Sequence, residues 1–153
     1  MTENVVIIGA GHAGVQLAVS LRDAGFEGGI TLVSEETEQP YQRPPLSKGF
    51  LLGKQDSTAL HLKSPEVYAD LRIGCVFGDR AVTLDRAERQ VVLKSGRRLP
   101  YDKAALATGG RRVGLPVQGA PLGGVGGLRS FGDAAAIKAR LANIKNAVVI
   151  GGG

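Results

Sequence analysis

Cysteine is almost absent: the chain has one, Cys75, in 153 residues. A single thiol excludes an internal disulfide and any C-x-x-C metal or redox pair. Aromatic side chains are scarce too, with three Tyr and four Phe scattered along the chain. They form no stacking platform and no nucleic-acid motif accompanies them, so no nucleic-acid partner is expected. No apolar run approaches the roughly 20 residues a membrane-spanning helix needs, so no membrane role is expected. The start, Met1-Thr2-Glu3-Asn4, has neither a basic region nor a cleavage site before the first apolar run. Without an export signature, a cytoplasmic, reducing setting is the expectation. No metal site is expected either.

The charge excess is small, a formal +5 partly carried by Arg97-Arg98 and Arg111-Arg112. A basic balance favours acidic partners, but a solvated basic surface explains it as simply. At 43% apolar and 22% charged residues the composition is that of an ordinary globular protein. The length suffices for one domain with a real core and falls short of two of ordinary size.

What the chain has in abundance is glycine, 23 residues of it, and the first of them are ordered. Val5-Val6-Ile7-Ile8 is a short apolar, β-branched run that feeds into Gly9-Ala10-Gly11-His12-Ala13-Gly14, a G-x-G-x-x-G. Val15 to Ala24 then reads as an amphipathic helix with Val15, Leu17, Ala18 and Leu21 as its apolar set, closed by a left-handed glycine at Gly25. Strand, glycine turn and helix form the context in which this motif binds a dinucleotide. Gly9 suits the tight turn, a side chain at Gly11 would hold a pyrophosphate off, and Gly14 allows close helix–strand packing. The helix start offers unpaired N–H groups and a positive dipole end. A second strand, Gly29 to Ser34, ends at Glu35, 21 residues beyond Gly14. A carboxylate there can accept from both hydroxyls of an adenosine ribose, and it would repel a 2′-phosphate. A glycine turn with no ligand is the competing explanation.

Tyr41-Gln42-Arg43-Pro44-Pro45-Leu46-Ser47-Lys48 follows a polar loop, and its prolines fit the start of a short helix through about Leu52. Arg43 and Lys48, read alone, are as well explained as surface charge. Ser64 and Pro65 start a helix that runs to about Leu71. Ile73 to Phe77 is a short strand, with Cys75 expected as a buried small apolar residue. Arg80 to Leu84 and Gln90 to Lys94 alternate and predict antiparallel strands, with Leu99-Pro100-Tyr101 returning. Lys103 to Ala107 reads as a small-residue strand buried in the parallel sheet. It ends at Thr108-Gly109-Gly110, where ligands of open α/β sheets bind, although a simple turn is compatible with the same residues. Gly114 to Gly127 is a Gly/Pro-rich connector, and a helix capped by Ser130 or by Gly132-Asp133 follows over about Phe131 to Asn143. Asn146-Ala147-Val148-Val149-Ile150-Gly151-Gly152-Gly153 repeats the opening pattern of apolar strand and glycines.

Taken together, VVIIGAGHAGVQLAVSLR at 5–22, ITLVSEE at 30–36, PYQRPPLSK at 40–48, ALATGG at 105–110, LRS at 128–130 and AVVIGGG at 147–153 resemble a known family. They are similar to the N-terminal portion of the FAD-dependent pyridine nucleotide-disulfide oxidoreductase superfamily, of the ferredoxin reductase type that includes putidaredoxin- and rhodocoxin-reductase-like enzymes. PYQRPPLSK is the most specific piece. The resemblance implies an α/β, Rossmann-like FAD-binding domain, a parallel sheet with helices plus a small antiparallel β-meander, in truncated form. It implies residues 1–113 as the N-terminal part of that domain and 114–146 as connector and helix. Residues 147–153 would be the first strand and glycine turn of a truncated NAD(P)-binding domain.

By the same resemblance Gly9, Gly11, Ala13 and Gly14 hold the FAD pyrophosphate, Glu35 the adenosine ribose, and Arg43 lies at the phosphates. Lys48 lies beside the isoalloxazine as the catalytic cation. Val82 presents its backbone to the adenine, Ala107, Thr108 and Gly109 border the cofactor, and Arg129 reaches it from the connector. Many relatives carry an arginine, often with a proline, a few residues after the Thr-Gly pair. Here the run is Gly110-Arg111-Arg112-Val113, and neither arginine is assigned a contact. The dithiol, peroxidase and coenzyme A disulfide branches carry one or two cysteines in the 40–50 region, and this chain has none there. Electrons are therefore expected to pass from NADH through FAD to an external 2Fe-2S ferredoxin-type acceptor. This stretch alone is expected to be inactive or weakly active and to self-associate through exposed apolar surface. A non-catalytic nucleotide-binding remnant or interaction module is the alternative.

Overall fold

The computed structural model describes residues 3–120 and 122–151. Its first strand, β1 (Asn4–Ile8), is apolar from Val5 to Ile8 because both faces are covered there. Side chains alternate across a strand, so Val5 and Ile7 go one way and Val6 the other. Val5 and Ile7 join Ile30, Leu32, Ile73 and Tyr68 in one buried cluster. Helix α1 (His12–Asp23) closes that face with Val15 and Ala18. Val6 instead packs with Val33, Val91, Leu93 and Leu99. Full burial of each such aliphatic side chain is worth about 1.5–3 kcal/mol, so both faces of β1 contribute to stability.

β1 pairs in parallel with β2 (Gly29–Val33) from Asn4 opposite Gly29 to Ile8 opposite Val33. β3 (Ile73–Val76) lies outside β2, and β7 (Lys103–Leu106) lies on the other side of β1. The order of the parallel sheet is β3-β2-β1-β7. The chain therefore travels outward from β1 in one direction and later returns to β1's opposite side, and this reversal makes a switch point between β1 and β7. β4 (Ala81–Asp85), β5 (Gln90–Leu93) and β6 (Arg98–Pro100) form the expected antiparallel meander. Helix α2 (Pro65–Asp70) packs on β3 and places Tyr68 in the core. α1 ends as the glycine predicts: Gly25 is left-handed at φ +81°, its amide donates to the Arg22 carbonyl, and the Phe26 amide donates to Leu21. This double bond pattern satisfies carbonyls that the last helical turn leaves open.

The chain divides into two compact units, Met1–Gln42 with Leu60–Gly110, and Arg43–Ala59 with Arg111–Gly153. In the second, Pro44–Ser47 forms a 3-10 turn and α3 (Phe131–Leu141) is the one helix among the described residues. Leu46, Phe50 and Ala134 are buried there. The Phe50 and Phe131 rings sit with centroids 4.9 Å apart, and the Lys138 ammonium lies 4.6 Å from the Phe50 ring centre. α3 begins with a reciprocal cap. The Asp133 amide donates to Ser130 Oγ, and the Asp133 carboxylate accepts from the Ser130 amide at 2.8 Å.

Several expectations are corrected. Cys75 is exposed on β3, which is an edge strand of the sheet among the described residues. The small-residue strand β7 is parallel as expected but lies at the other edge among the described residues, with Leu106 69% exposed. Leu17 sits on the exposed side of α1. The turn after Pro44 stops at Ser47, with only turns beyond it to Leu52. Ser64 starts α2 without a side-chain cap bond, and α3 ends at Leu141, two residues before Asn143. Residues 147–150 belong to no strand, and Val148 and Val149 are almost wholly exposed. A strand is held by its neighbour's hydrogen bonds, and 147–150 pair with none of the described strands. Gly152 and Gly153 lie outside the described residues.

Candidate functional site

The bend after β1 is held from both sides. The Gly9 amide donates to the Val33 carbonyl, and the Ala107 amide donates to the Ile8 carbonyl, each at 2.8 Å. These bonds gather the carboxyl ends of β1, β2 and β7 beside the switch point. The glycines of the bend have different reasons to be glycine. Gly9 has φ +114°, and a Cβ on it would run into the Ala107 carbonyl. A Cβ on Gly14 would run into the Gly9 carbonyl and press on Ile7 Cγ2, so helix and strand approach this closely only without it. Gly11 is unlike either. Its φ is −80°, which any residue adopts, and a Cβ there would meet nothing within 4 Å. The fold does not require a glycine at Gly11.

Gly11 is also the residue that starts α1, and no side chain caps that start. No acidic residue sits in the first turn, and the Val15 amide makes the first helical bond, to the Gly11 carbonyl at 3.0 Å. The N–H groups ahead of it, Ala13's among them, face an exposed helix end whose dipole favours an anion.

Glu35 lies two residues past β2 and is exposed. Its loop is tied down by its neighbours. The Ser34 amide donates to the Val76 carbonyl at 2.8 Å, the Asp79 amide to Ser34, and the Gly78 amide to Glu36. Tyr41 donates its hydroxyl proton to the Glu36 carboxylate. The Glu35 carboxylate stands 3.7 Å from the Arg80 Nε, with both side chains exposed. Such a pair is weak, so it leaves the carboxylate open to a better donor. Val82, two residues beyond Arg80, is 54% exposed. The β4–β5 register slips between Ala81 and Thr83, which leaves Val82 without a partner residue. A bulge of this kind releases main-chain polar groups from the ladder. Ala107 packs partly into the core, while Thr108 and Gly109 are exposed, Gly109 at φ +66°.

The second unit brings Arg43 and Arg129 together. Arg43 Nη1 donates to the Arg129 carbonyl at 2.8 Å. The Arg129 amide donates to the Asp133 carboxylate at 3.1 Å. Hydrogen bonding from the Ser130 main chain holds the Asp133 carboxyl below the usual carboxylate range, against an opposing effect of burial. Both arginines line a pocket of about 420 Å³ with Pro44, Leu46 and Leu128 as its apolar wall. Arg112, left unassigned from the sequence, lines it too. Lys48 does not line that pocket; it is exposed just past the 3-10 turn, its amide donating to the Pro45 carbonyl at 3.0 Å. Sequence reasoning also passed over Arg80, whose only signal is its place two residues before Val82. Among the described residues no cluster of His, Cys, Asp or Glu could hold a metal ion, and no helix is long and apolar enough to cross a membrane.

The family profile of pyridine nucleotide-disulphide oxidoreductases matches residues 3–153. A putidaredoxin reductase of Pseudomonas putida is 43% identical over 154 residues, covering 99% of this chain and 36% of its own length. A rhodocoxin reductase of Rhodococcus erythropolis is 45% identical over 150 residues, covering 98% of this chain and 35% of its own. Among solved structures, a ferredoxin reductase of Rhodopseudomonas palustris superposes with a TM-score of 0.87 at 40% identity, over 92% of this chain and 35% of that one. A covalent putidaredoxin reductase–putidaredoxin complex superposes with a TM-score of 0.82 at 42% identity, over 90% of this chain and 34% of that one. The chain thus spans about a third of the length of the relatives it matches.

Proposed function

The chain belongs to the pyridine nucleotide-disulphide oxidoreductase family, and from that premise we propose that it is the FAD-binding part of a reductase carrying electrons from NADH to a ferredoxin-type iron–sulfur protein. FAD and NAD(H) are the cofactors of this family. The observation that carries the reading is the open space over Gly11 beside an uncapped helix start. A glycine that the fold does not need, at the place where a side chain would fill that space, fits a pyrophosphate lying on the bend. The residues present fit FAD in this respect.

In this proposal the amides of the bend and of Ala13 and Gly14 hold the pyrophosphate, and Glu35 accepts from the adenosine ribose hydroxyls. The main chain of Val82, at the slipped register, serves the adenine, and Ala107, Thr108 and Gly109 border the cofactor. Arg43 and Arg129 supply positive charge for the phosphates. Bound FAD would supply the chemistry of accepting a hydride and releasing electrons singly. Lys48 is the catalytic cation in this reading: its exposed ammonium would supply positive charge beside the flavin ring. With no cysteine in the 40–50 region, no protein thiol relays the electrons there. A 2Fe-2S ferredoxin is the proposed acceptor, supported by the solved complex of putidaredoxin reductase with putidaredoxin. Residues 1–113 form the N-terminal part of the FAD domain in this reading, 114–146 the connection, and 147–153 the opening of an NAD(P)-binding domain. Turnover by this stretch alone is weak or absent.

Titration of the purified chain with FAD, followed by flavin fluorescence, tests the reading. Saturable binding is expected, weakened about tenfold or more by Glu35→Ala, as for loss of a charge-assisted hydrogen-bond acceptor. A folded chain that leaves the flavin fluorescence unchanged throughout the titration, and is colourless once free FAD is removed, would overturn it.

A further inference from the structure

Arg80 carries no role from the resemblance, yet the fold builds a place for it beside Glu35. Both neighbours of Glu35 are bonded to the two residues that precede Arg80. The Asp79 amide donates to the Ser34 carbonyl at 3.1 Å, and the Gly78 amide donates to the Glu36 carbonyl at 2.9 Å. Gly78 turns the chain there at φ +74°. Asp79 is anchored in turn, its carboxylate accepting from the Ser95 amide at 3.1 Å and from the Ser95 hydroxyl. The Arg80 carbonyl accepts from the Lys94 amide at 2.8 Å. The main chain thus brings residues 35 and 80 together whatever their side chains do.

The side chains then complete the contact, with Arg80 Nε 3.7 Å from a Glu35 carboxylate oxygen. That is an ionic contact, longer than a hydrogen bond, so it occupies none of the carboxylate's lone pairs. An exposed pair of this kind adds little to stability. Its consequence is for orientation. A solvated glutamate samples several rotamers and loses that freedom when it grips a ligand. A cation held on one side narrows the set beforehand, which is preorganisation. Two residues on, the register slips at Val82, the position proposed for the adenine. Arg80 therefore belongs to the adenosine end of the site.

We propose that Arg80 is a positioning residue: it holds the Glu35 carboxylate ready for the two ribose hydroxyls of an adenine nucleotide. The inference rests on Glu35 as the ribose acceptor in the function proposed above, and it holds for any nucleotide with an adenosine diphosphate end. Arg80 acts through Glu35 and has no part in electron transfer.

The test titrates the whole chain by calorimetry with ADP and with 2′,3′-dideoxy-ADP, which lacks both ribose hydroxyls. FAD is titrated in parallel by flavin fluorescence. The variants are Arg80→Ala, Arg80→Lys, Glu35→Ala, the double variant Glu35→Ala with Arg80→Ala, and Arg86→Ala, which removes an exposed cation from the β4–β5 turn. Glu35, Arg80 and Arg86 are all exposed, so every variant is expected to melt as the parent does. Arg80→Ala should weaken ADP binding about threefold, the scale of an exposed ion pair, and Arg80→Lys should recover part of it by restoring the charge. The loss should vanish in the Glu35→Ala background and for the dideoxy ligand, as for a residue that acts through another. Arg86→Ala should change nothing. ADP losses of this pattern without FAD binding keep the inference and remove the flavin reading. ADP binding unchanged in Arg80→Ala but weakened in Glu35→Ala overturns the inference and leaves the proposed function standing. An equal loss for the dideoxy ligand, an equal loss in Arg86→Ala, or no ADP binding by the parent would each overturn it as well.

Discussion

The Gly9 amide donates to the Val33 carbonyl at 2.8 Å, so the bend after the first strand is bonded to the end of the second. This one bond couples two sequence features that are far apart in the chain, the glycine motif and the acidic end of β2. Four predictions follow from geometry of this kind.

Gly9 and Gly11 should separate fold from function. Gly9→Ala forces a side chain onto a residue at φ +114° and into the Ala107 carbonyl. It should cost about 2–4 kcal/mol in urea unfolding, combining left-handed strain with overpacking. Gly11→Ala meets nothing within 4 Å and should change stability by no more than about 0.5 kcal/mol. Its FAD affinity should nevertheless fall about tenfold or more. Equal effects of the two substitutions on unfolding would show that the bend is held some other way.

Arg22 should be a structural clamp. Its guanidinium donates to the main-chain carbonyls of Leu71, Phe26, Gly28 and Arg72, at 2.6–2.8 Å. It thereby joins the end of α1 to the loops before β2 and before β3. Arg22→Ala should destabilise by about 2–4 kcal/mol, since several partly buried carbonyls lose a charged donor together. Arg22→Lys should recover little, because one ammonium cannot span the same fork of acceptors. Thermal melts of both variants check this.

Tyr68 should govern part of the alkaline limb of stability. Its hydroxyl is buried with no hydrogen-bond partner among the described residues. Burial, with the neighbouring Cys75 as a second cause, pushes the phenol up to about 12. A folded value above the unfolded one, about 10, means that this contribution is complete below pH 10. It is lost as pH rises through 12, because only the unfolded chain ionises easily. Tyr68→Phe should match or exceed the parent by up to about 1 kcal/mol at neutral pH, since an unpaired buried hydroxyl is removed. Above pH 10 its advantage should widen in denaturant titrations.

Asp133 should act at the opposite end of the scale. Its carboxyl is held below the usual range by the main-chain bond from Ser130. A depressed folded value means the contribution is present above the ordinary carboxylate range and is lost as pH falls through the lower, folded value. Asp133→Asn should remove that acid dependence of α3, read as helical circular dichroism against pH. An unchanged acid limb would mean that the cap contributes no stability.

The strand–bend–helix opening was legible because its determinants are local. β-branched residues, glycine spacing and a 3.6-residue apolar pattern all act within about ten positions. The meander was legible for the same reason, its alternation being a property of each strand by itself. Val82 could be given a role from resemblance, but the slipped register at its position depends on how β4 meets β5. Cys75 misled because small apolar character predicts burial only for a strand with neighbours on both sides.

Composition and spacing by themselves determined that this is a dinucleotide-type α/β opening with a meander. Each of those features is decided by residues close together in the chain, where backbone preference and side-chain period suffice. Tertiary structure alone decided which strands became edges, that Gly11 faces open space while Gly9 and Gly14 do not, and that Arg112 stands with Arg43 and Arg129. These are relations between residues far apart in sequence. They exist only after the chain has closed on itself, and no local pattern records them.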